Sequence, residues 1–405
     1  MNSGKFWKWA VLTLNINPPL EQQEEQELAQ SLVTSSRFAI VPEIKIRKGS
    51  KFLVEAVLKA VCEGTTSQLE TLNVNLEEAE DSDAALLSQA AVKVENFTIM
   101  RGQTGQLQAI FSAIIESDDL TLKTLALGWL YHNLAGVSPD ILARAAVKLN
   151  QLRVGPVSPA QLEEILIRLA KSMDNKLQEL DVFTTEDLDL SHLSPKLVSD
   201  ALMKLQTTYN ILRRVQLSLE QITHLLTEIK NTEDLRLTSV DLVGVNISQV
   251  PPAVLTGAIS RLEKVMLPWT DTYVTPVQIE AVLNMLVGQQ LGGPKLEVLE
   301  IGDVDLSGLS SELLLGAIRR LEVIVCRGTT FTEEQLNAIL RMVSEGRQGN
   351  LEYIRIIRPD VQGTVSQELL QAAGQVEYLL EIEFDEDENA DEDENADEDE
   401  NADIE

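Results

Sequence analysis

Leu177-Gln-Glu-Leu180-Asp-Val182, followed after a turn by Ser194-Pro195-Lys-Leu-Val198-Ser-Asp-Ala201, is the stretch whose reading decides the fold. Over Leu180–Val182 apolar and polar residues alternate, as in a short strand with one face turned inward. The second half opens with a serine able to cap free N–H groups. The proline after it loses no hydrogen bond at a first helical position, and an apolar run with helical spacing follows. A strand joined to one short helix cannot bury its own apolar side, so copies should exist elsewhere. They do. Ala201 belongs to the series Ala90, Ala145, Ala201, Ala258, Ala317 and Ala372, with gaps of 55, 56, 57, 59 and 55 residues by subtraction. Each alanine follows an apolar residue by three positions (Leu87, Leu142, Val198, Leu255, Leu314, Leu369) and precedes an L-x-x-L-x-L-like segment. A tandem array produces such a rhythm, whereas a single helix or strand does not.

Each long period holds two shorter units. One strand series starts at Leu69, Leu122, Leu177, Leu237, Leu296 and Leu351, and a second, at Val94, Leu149, Leu262 and Leu321, interleaves with it. Two members of the second series are degenerate: Leu205 is followed by Thr208 and Asn210 at the later apolar positions, and Val376-x-x-Leu379 ends on Glu381. Helix starts also come in two kinds. Ser138-Pro139, Ser194-Pro195 and Ser310 precede the runs that end at the alanines. Ser158-x-x-Gln161, Ser218-x-x-Gln221, Thr275-x-x-Gln278 and Thr332-x-x-Gln335 match the reciprocal capping box, and Gln106 holds the same place with Gln103 in the capping position. The fixed alanine is explained by close approach of helix to sheet, where anything larger than a methyl group would force them apart.

These strands, helical halves and alternating half-repeats resemble leucine-rich repeat proteins, above all the ribonuclease-inhibitor-like subclass, whose repeats of about 28 and 29 residues alternate. The match runs from Trp9-x-x-Leu12-x-Leu14 and Val41-x-x-Ile44-x-Ile46 to Leu379, which is about fourteen half-repeats. The resemblance implies an α/β solenoid shaped as a horseshoe, with a parallel sheet on the concave side and helices on the convex side. The family usually carries Asn or Cys three residues after the last strand position. This chain places Glu77, Leu130, Thr185, Val245, Val304 and Pro359 there in one series, and Gly102, Val157, Thr270 and Thr329 in the other. The expected domains are a solenoid over 1–384 and a disordered acidic tail over 385–405.

Lys and Arg total 33 against 64 Asp and Glu, for a net charge of −31. Residues 381–405 hold 16 acids and no base, which leaves −31 + 16 = −15 on the body. Phosphate binding wants a basic stripe and none appears, so nucleic acid is an unsuitable partner. Cys62 and Cys326 are far apart and lack flanking cysteine clusters, which points to an intracellular protein, cytoplasmic first and nuclear second. The apolar run from Phe6 to Leu12 fits the first strand register better than a signal peptide, and the two Asn-x-Ser/Thr sequons at Asn96 and Asn246 read as chance matches. No apolar stretch reaches membrane-spanning length, so no membrane partner is expected.

After Phe384 the hexamer D-E-D-E-N-A repeats from Asp385, Asp391 and Asp397, and the chain closes on Asp403-Ile404-Glu405. Such a block repels itself and is expected to be disordered, either keeping the array soluble or meeting a basic protein such as a histone. The hexamer begins like a calcium loop but puts Ala390 where the turn needs glycine and Ala396 where a bidentate glutamate belongs. Phosphate-loop, G-x-S-x-G, H-E-x-x-H and C-x-x-C motifs are all missing. His132, His192 and His224 lie in different repeats without metal-ligand spacing. No catalytic, cofactor or metal site is therefore expected.

Binding is the better expectation. Outward strand positions place Arg153, Glu179, Asp181, Phe183, Tyr209, Asp241, Lys264, Glu300, Tyr353 and Arg355 on the concave wall, with Arg327 beside them. Arginine and aromatic groups among carboxylates suit protein recognition. The expected function is a non-enzymatic recognition or scaffold protein that grips another protein. Two alternatives stand beside it. An acidic nuclear chaperone of basic proteins is suggested by repeats followed by an acidic run. A Ran-type GTPase-activating protein has a similar layout, although the polar loop of that family has no counterpart here.

Overall fold

The structure, a computed structural model, describes residues 11–383 except 16–21, 36–37, 65–67, 78, 129–133, 184–186, 209–210, 271, 289–295, 347–348, 363–365, 369–370 and 372–379. The chain groups into two compact units, Met1–Pro268 with Gln289–Leu296, and Trp269–Gly288 with Glu297–Glu405.

In the first unit, seven strands form one parallel sheet in chain order: β1 (Val11–Asn15), β2 (Glu43–Lys48), β3 (Thr71–Asn75), β4 (Asn96–Met100), β5 (Thr124–Leu127), β6 (Gln151–Val154) and β7 (Glu179–Val182). The short strands β8 (Leu188–Asp189) and β9 (Val215–Gln216) pair in parallel, as do β10 (Ser239–Asp241) and β11 (Lys264–Met266). Helices α1 (Gln22–Thr34), α2 (Lys51–Cys62), α3 (Ala84–Ala91), α4 (Thr104–Glu116), α5 (Pro139–Ala146), α6 (Pro159–Lys171), α7 (Pro195–Leu202), α8 (Leu219–Asn231) and α9 (Pro252–Ile259) separate them. The second unit contains α10 (Pro276–Gly288), β12 (Val298–Gly302), α11 (Ser311–Ile318), β13 (Val323–Arg327), β14 (Thr330–Thr332), α12 (Glu333–Ser344), β15 (Tyr353–Ile357), β16 (Asp360–Gln362) and β17 (Leu380–Glu383). There β12, β13, β15 and β17 pair in parallel in chain order, and β14 pairs with β16. Parallel strands side by side in chain order, with helices between them, make this an α/β leucine-rich repeat solenoid.

The register follows the leucine positions. Leu12 lies opposite Ile44, Leu72 opposite Phe97, Leu152 opposite Leu180 and Ile324 opposite Ile354. All of these inward residues except the half-buried Leu12 are buried. Helix residues meet them from the other side: a Cβ added to Gly102 would sit 2.9 Å from Ile99 on β4 and 3.1 Å from Leu107 on α4. From α3 to α11 the odd-numbered helices have eight residues and the even-numbered have thirteen, with twelve in α12. Ala90, Ala145, Ala201, Ala258 and Ala317 occupy the same position of the eight-residue helices and are 0% exposed. Ala372 lies outside the described residues.

The two degenerate half-repeats depart from the pattern differently. After Leu205 the pairing among the described residues consists of single bridges from Thr207 to Glu179 and Ser239. Thr208, in the place of an apolar residue, is buried and its hydroxyl accepts the Asp241 N–H at 3.1 Å. At the last strand the expected register is off by one. Leu380 and Ile382, not Leu379 and Glu381, stand opposite Ile354 and Ile356. A one-residue slip exchanges the two faces, so it keeps a carboxylate out of the core.

Two ladders of side chains join successive half-repeats. In the long helices the capping glutamine does double duty. Its Oε1 accepts the N–H of the capping residue: Gln103 to Gln106, Ser158 to Gln161, Ser218 to Gln221, Thr275 to Gln278 and Thr332 to Gln335, all at 2.7–2.9 Å. Its Nε2 donates backward to two carbonyls of the preceding turn. The pairs are Glu80 and Ser82 for Gln106, Leu134 and Val137 for Gln161, Leu190 and Leu193 for Gln221, and Leu306 and Leu309 for Gln335, at 2.7–2.9 Å.

The second ladder is cationic. Three residues after the alanines, Lys148 reaches Ile115 and Ser117 oxygens at 2.6 and 3.0 Å. Lys204 reaches Leu169, Ala170 and Ser172 at 2.7–2.9 Å, and Arg261 reaches Thr232 and Glu233 at 2.7 and 2.8 Å. Lys93 does the same to the Cys62 oxygen. Each cation thus satisfies free carbonyls at the C-terminal, negative end of the preceding long helix. Serine caps are less uniform than their sequence suggests: Ser194 and Ser310 accept from Leu197 and Leu313, whereas Ser138 makes no side-chain cap bond and Pro139 alone marks that start.

Candidate functional site

The outward strand positions form an open polar face in each unit. On the first unit, Arg153 of β6 and Glu179 of β7 are half-buried and their charged groups lie 3.8 Å apart. Asp181 stands opposite Arg153 in the register. Phe183, just past β7, is half-buried and presses so closely on Gly155 that a Cβ there would meet the Phe183 Cβ at 2.6 Å and its carbonyl oxygen at 2.7 Å. Glycine at position 155 is what makes room for it. Lys264 projects from β11, half-buried. Tyr209 lies outside the described residues.

Asp241 corrects the expectation. Placed on the wall by its alternation, it is instead 0% exposed. One carboxylate oxygen accepts Arg213 Nε at 2.6 Å and the other accepts the Val243 N–H at 3.0 Å. The degenerate half-repeat explains the change: past the bridges at Thr207 the chain lays a short helical turn, Leu212–Arg214, from which Arg213 reaches the carboxylate. Asp241 is structural and leaves the face.

The richest group is on the second unit, where the register sets the outward residues in rows. Val298, Val323 and Tyr353 form one, Glu300, Val325, Arg355 and Glu381 the next, and Gly302, Arg327, Ile357 and Glu383 the third. The Trp269 ring covers Gly302, where a Cβ would lie 2.5 Å from it, and the Arg327 guanidinium sits 4.8 Å from the ring centroid. Such a cation–π contact holds a long side chain in place. Arg355 is held by carboxylates, with Nε 3.1 Å from Glu381 and a terminal nitrogen 2.5 Å from Glu383. Tyr353 donates its hydroxyl to Glu381. That hydrogen bond raises the phenol above its ordinary range, and the bond from Arg355 lowers the Glu383 carboxyl.

The structure brings Tyr353 and Arg355 together with Arg327, and it adds residues sequence reasoning missed: Trp269, Val323, Val325, Glu381 and Glu383. The carboxylates were hidden by the one-residue register shift at the last strand. Trp269 lies beyond the end of β11 and no periodic position marks it. Ile357, although at an outward position, is buried.

Among the described residues no three His, Cys, Asp or Glu are grouped to hold a metal ion. Burial pushes the Cys326 thiol up to about 12, far from a nucleophile, and also raises Cys62. His192 is exposed beside Glu163 at 3.4 Å on a helical surface. Among the described residues no helix is long and apolar enough to cross a membrane.

No family model matches this chain, and no curated protein matches it. Among solved structures it is similar to the leucine-rich repeat-containing protein LegL7 from Legionella pneumophila, at 12% identity over 91% of this chain and 97% of that one, with a TM-score of 0.37. It is also similar to a chain of the LRIM1/APL1C complex, at 13% identity over 87% of this chain and 62% of that one, with a TM-score of 0.30.

Proposed function

We propose that the protein is a non-enzymatic recognition or scaffold protein that binds another protein on the open, outward face of its strands. The observation that carries this reading is the group Trp269, Arg327, Tyr353 and Arg355. These are the residue types that dominate binding hot spots, and here each is fixed by a neighbour before any partner arrives. Valines 298, 323 and 325 supply apolar area between them. Glu300 belongs to the same rows of the second unit, and Arg153, Glu179, Asp181, Phe183 and Lys264 offer a proposed surface of their own on the first unit. Alternating short and long helices support placing the chain in the ribonuclease-inhibitor-like subclass, as one array over residues 1–384 with the acidic segment 385–405 appended.

Affinity capture from native lysate with tagged full-length chain tests the reading. Arg327→Glu and Tyr353→Ala should each weaken capture of the same partner at least tenfold, about 1.4 kcal/mol or more. Lys59→Glu, on a helix surface and 69% exposed, should leave it unchanged. Capture that survives both strand-face changes and is lost with Lys59→Glu would refute the proposal.

A further inference from the structure

A second feature of the open face lies on the first unit, where β2, β3 and β4 enclose a cavity of about 550 Å³ lined by Lys45, Ile46, Arg47, Asn73, Val74, Asn75 and Met100. That volume falls within the range of pockets that hold small ligands or peptide side chains. Of its apolar lining, Ile46 and Val74 are buried in the core and Met100 is the exposed member, 42% open to solvent and resting over Gly128, where a Cβ would lie 3.0 Å from its Cγ. A flexible thioether left open to solvent is a favourable seat for an aliphatic group. Asn75, opposite Met100, has its amide engaged with the Arg47 carbonyl at 3.0 Å and the Glu77 N–H at 3.1 Å, so it shapes the wall rather than reaching outward.

The charges around this cavity are uneven. Lys45 is paired with Glu43 at 3.0 Å and Arg101 with Glu77 at 2.6 Å. Arg47 and Lys48 are exposed, and among the described residues neither has an ion-pair partner. In a chain with 64 acidic and 33 basic residues, two cations left without carboxylates beside an apolar seat mark a local inversion of the surface charge. At physiological salt, charges more than about 8 Å away are largely screened, so the nearby cations outweigh the acidic body for a docked group.

We propose that this cavity takes an acidic segment of a partner protein that carries one aliphatic side chain, the aliphatic group on Met100 and a carboxylate on Arg47, with Lys48 the next residue along the chain. The proposal rests on the reading of the open face as a recognition surface and assigns it a second, chemically distinct subsite.

Fluorescence anisotropy with the full-length chain tests it, using the labelled peptide Glu-Asp-Leu-Asp-Glu at physiological salt. Saturable binding is expected, at least tenfold weaker with Arg47→Glu, with Met100→Glu, and with serine in place of the leucine. Arg47→Gln, a milder change at an exposed position, should show a smaller loss and guards against misfolding. Absence of saturable binding, equal binding of Lys-Lys-Leu-Lys-Lys, or affinity indifferent to both Arg47→Glu and Met100→Glu would overturn the proposal. Arg327→Glu separates the two ideas. Peptide binding that follows Arg327 and ignores Arg47 overturns this subsite while leaving the open face as the recognition surface. Tighter binding of the nonapeptide of residues 397–405 at the same cavity would make the chain's own segment the occupant and overturn the assignment to a partner.

Discussion

Gln221→Ala should destabilise the array by about 2–4 kcal/mol, because it strips three buried hydrogen bonds at once. Gln221 is 0% exposed; its oxygen accepts the Ser218 N–H at 2.7 Å and its amide donates to the Leu190 and Leu193 carbonyls at 2.8 Å. Alanine leaves those groups without their partner and opens a gap where water is excluded. Leu190 oxygen keeps a second donor, Leu193 N–H at 3.0 Å, which sets the estimate below a full three-bond loss. Gln221→Glu discriminates the cause. It keeps the acceptor and the shape, but at neutral pH it aims a carboxylate at two carbonyls, so it should be no better than alanine. Gln249→Ala, at an exposed loop position, should stay within about 0.5 kcal/mol of the parent. Urea unfolding measures all three, and hydrogen exchange should locate the new opening at the joint between α7 and α8, since a stacked array yields locally.

Asp241→Ala should cost more, about 3–5 kcal/mol, because it leaves the Arg213 guanidinium without its buried partner. The carboxylate is fully buried while the arginine side chain keeps 24% exposure, so some solvation of the orphaned cation will moderate the loss. The double variant Arg213→Met with Asp241→Leu should recover most of it, since an apolar pair of similar volume avoids the desolvation of both charges. If the double variant were as unstable as the single one, the pair would owe its worth to the Val243 N–H bond and not to the ion pair.

These two residues also mark how far the sequence was legible. Strand leucines, the alanine ladder and the capping boxes each state a local rule that repeats, and repetition carried the reading to the correct parallel order. The capping box was visible in Ser218 and Gln221, yet it describes only half of what Gln221 does, because the recipients of its amide are backbone oxygens and leave no mark in the residue types. The cation ladder did leave one: Lys93, Lys148, Lys204 and Arg261 all follow their alanines by three positions. It passed unnoticed because surface lysines are common. Asp241 failed for a different reason. Alternation predicts which side of a strand a residue takes, but burial depends on the neighbouring strand, and next to it stood a degenerate half-repeat. On the second unit the outward positions of Tyr353 and Arg355 followed from alternation alone. Trp269 did not, since a ring laid over Gly302 from beyond the strand end obeys no period.

The measurement closest to the central claim is crosslinking mass spectrometry of the full chain in native lysate with a lysine-reactive reagent. Recognition through the strand face predicts partner crosslinks concentrated at Lys45 and Lys264, on outward positions of β2 and β11. Crosslinks concentrated instead at Lys59 and Lys196, on the helices α2 and α7, with Lys45 and Lys264 silent, would contradict it.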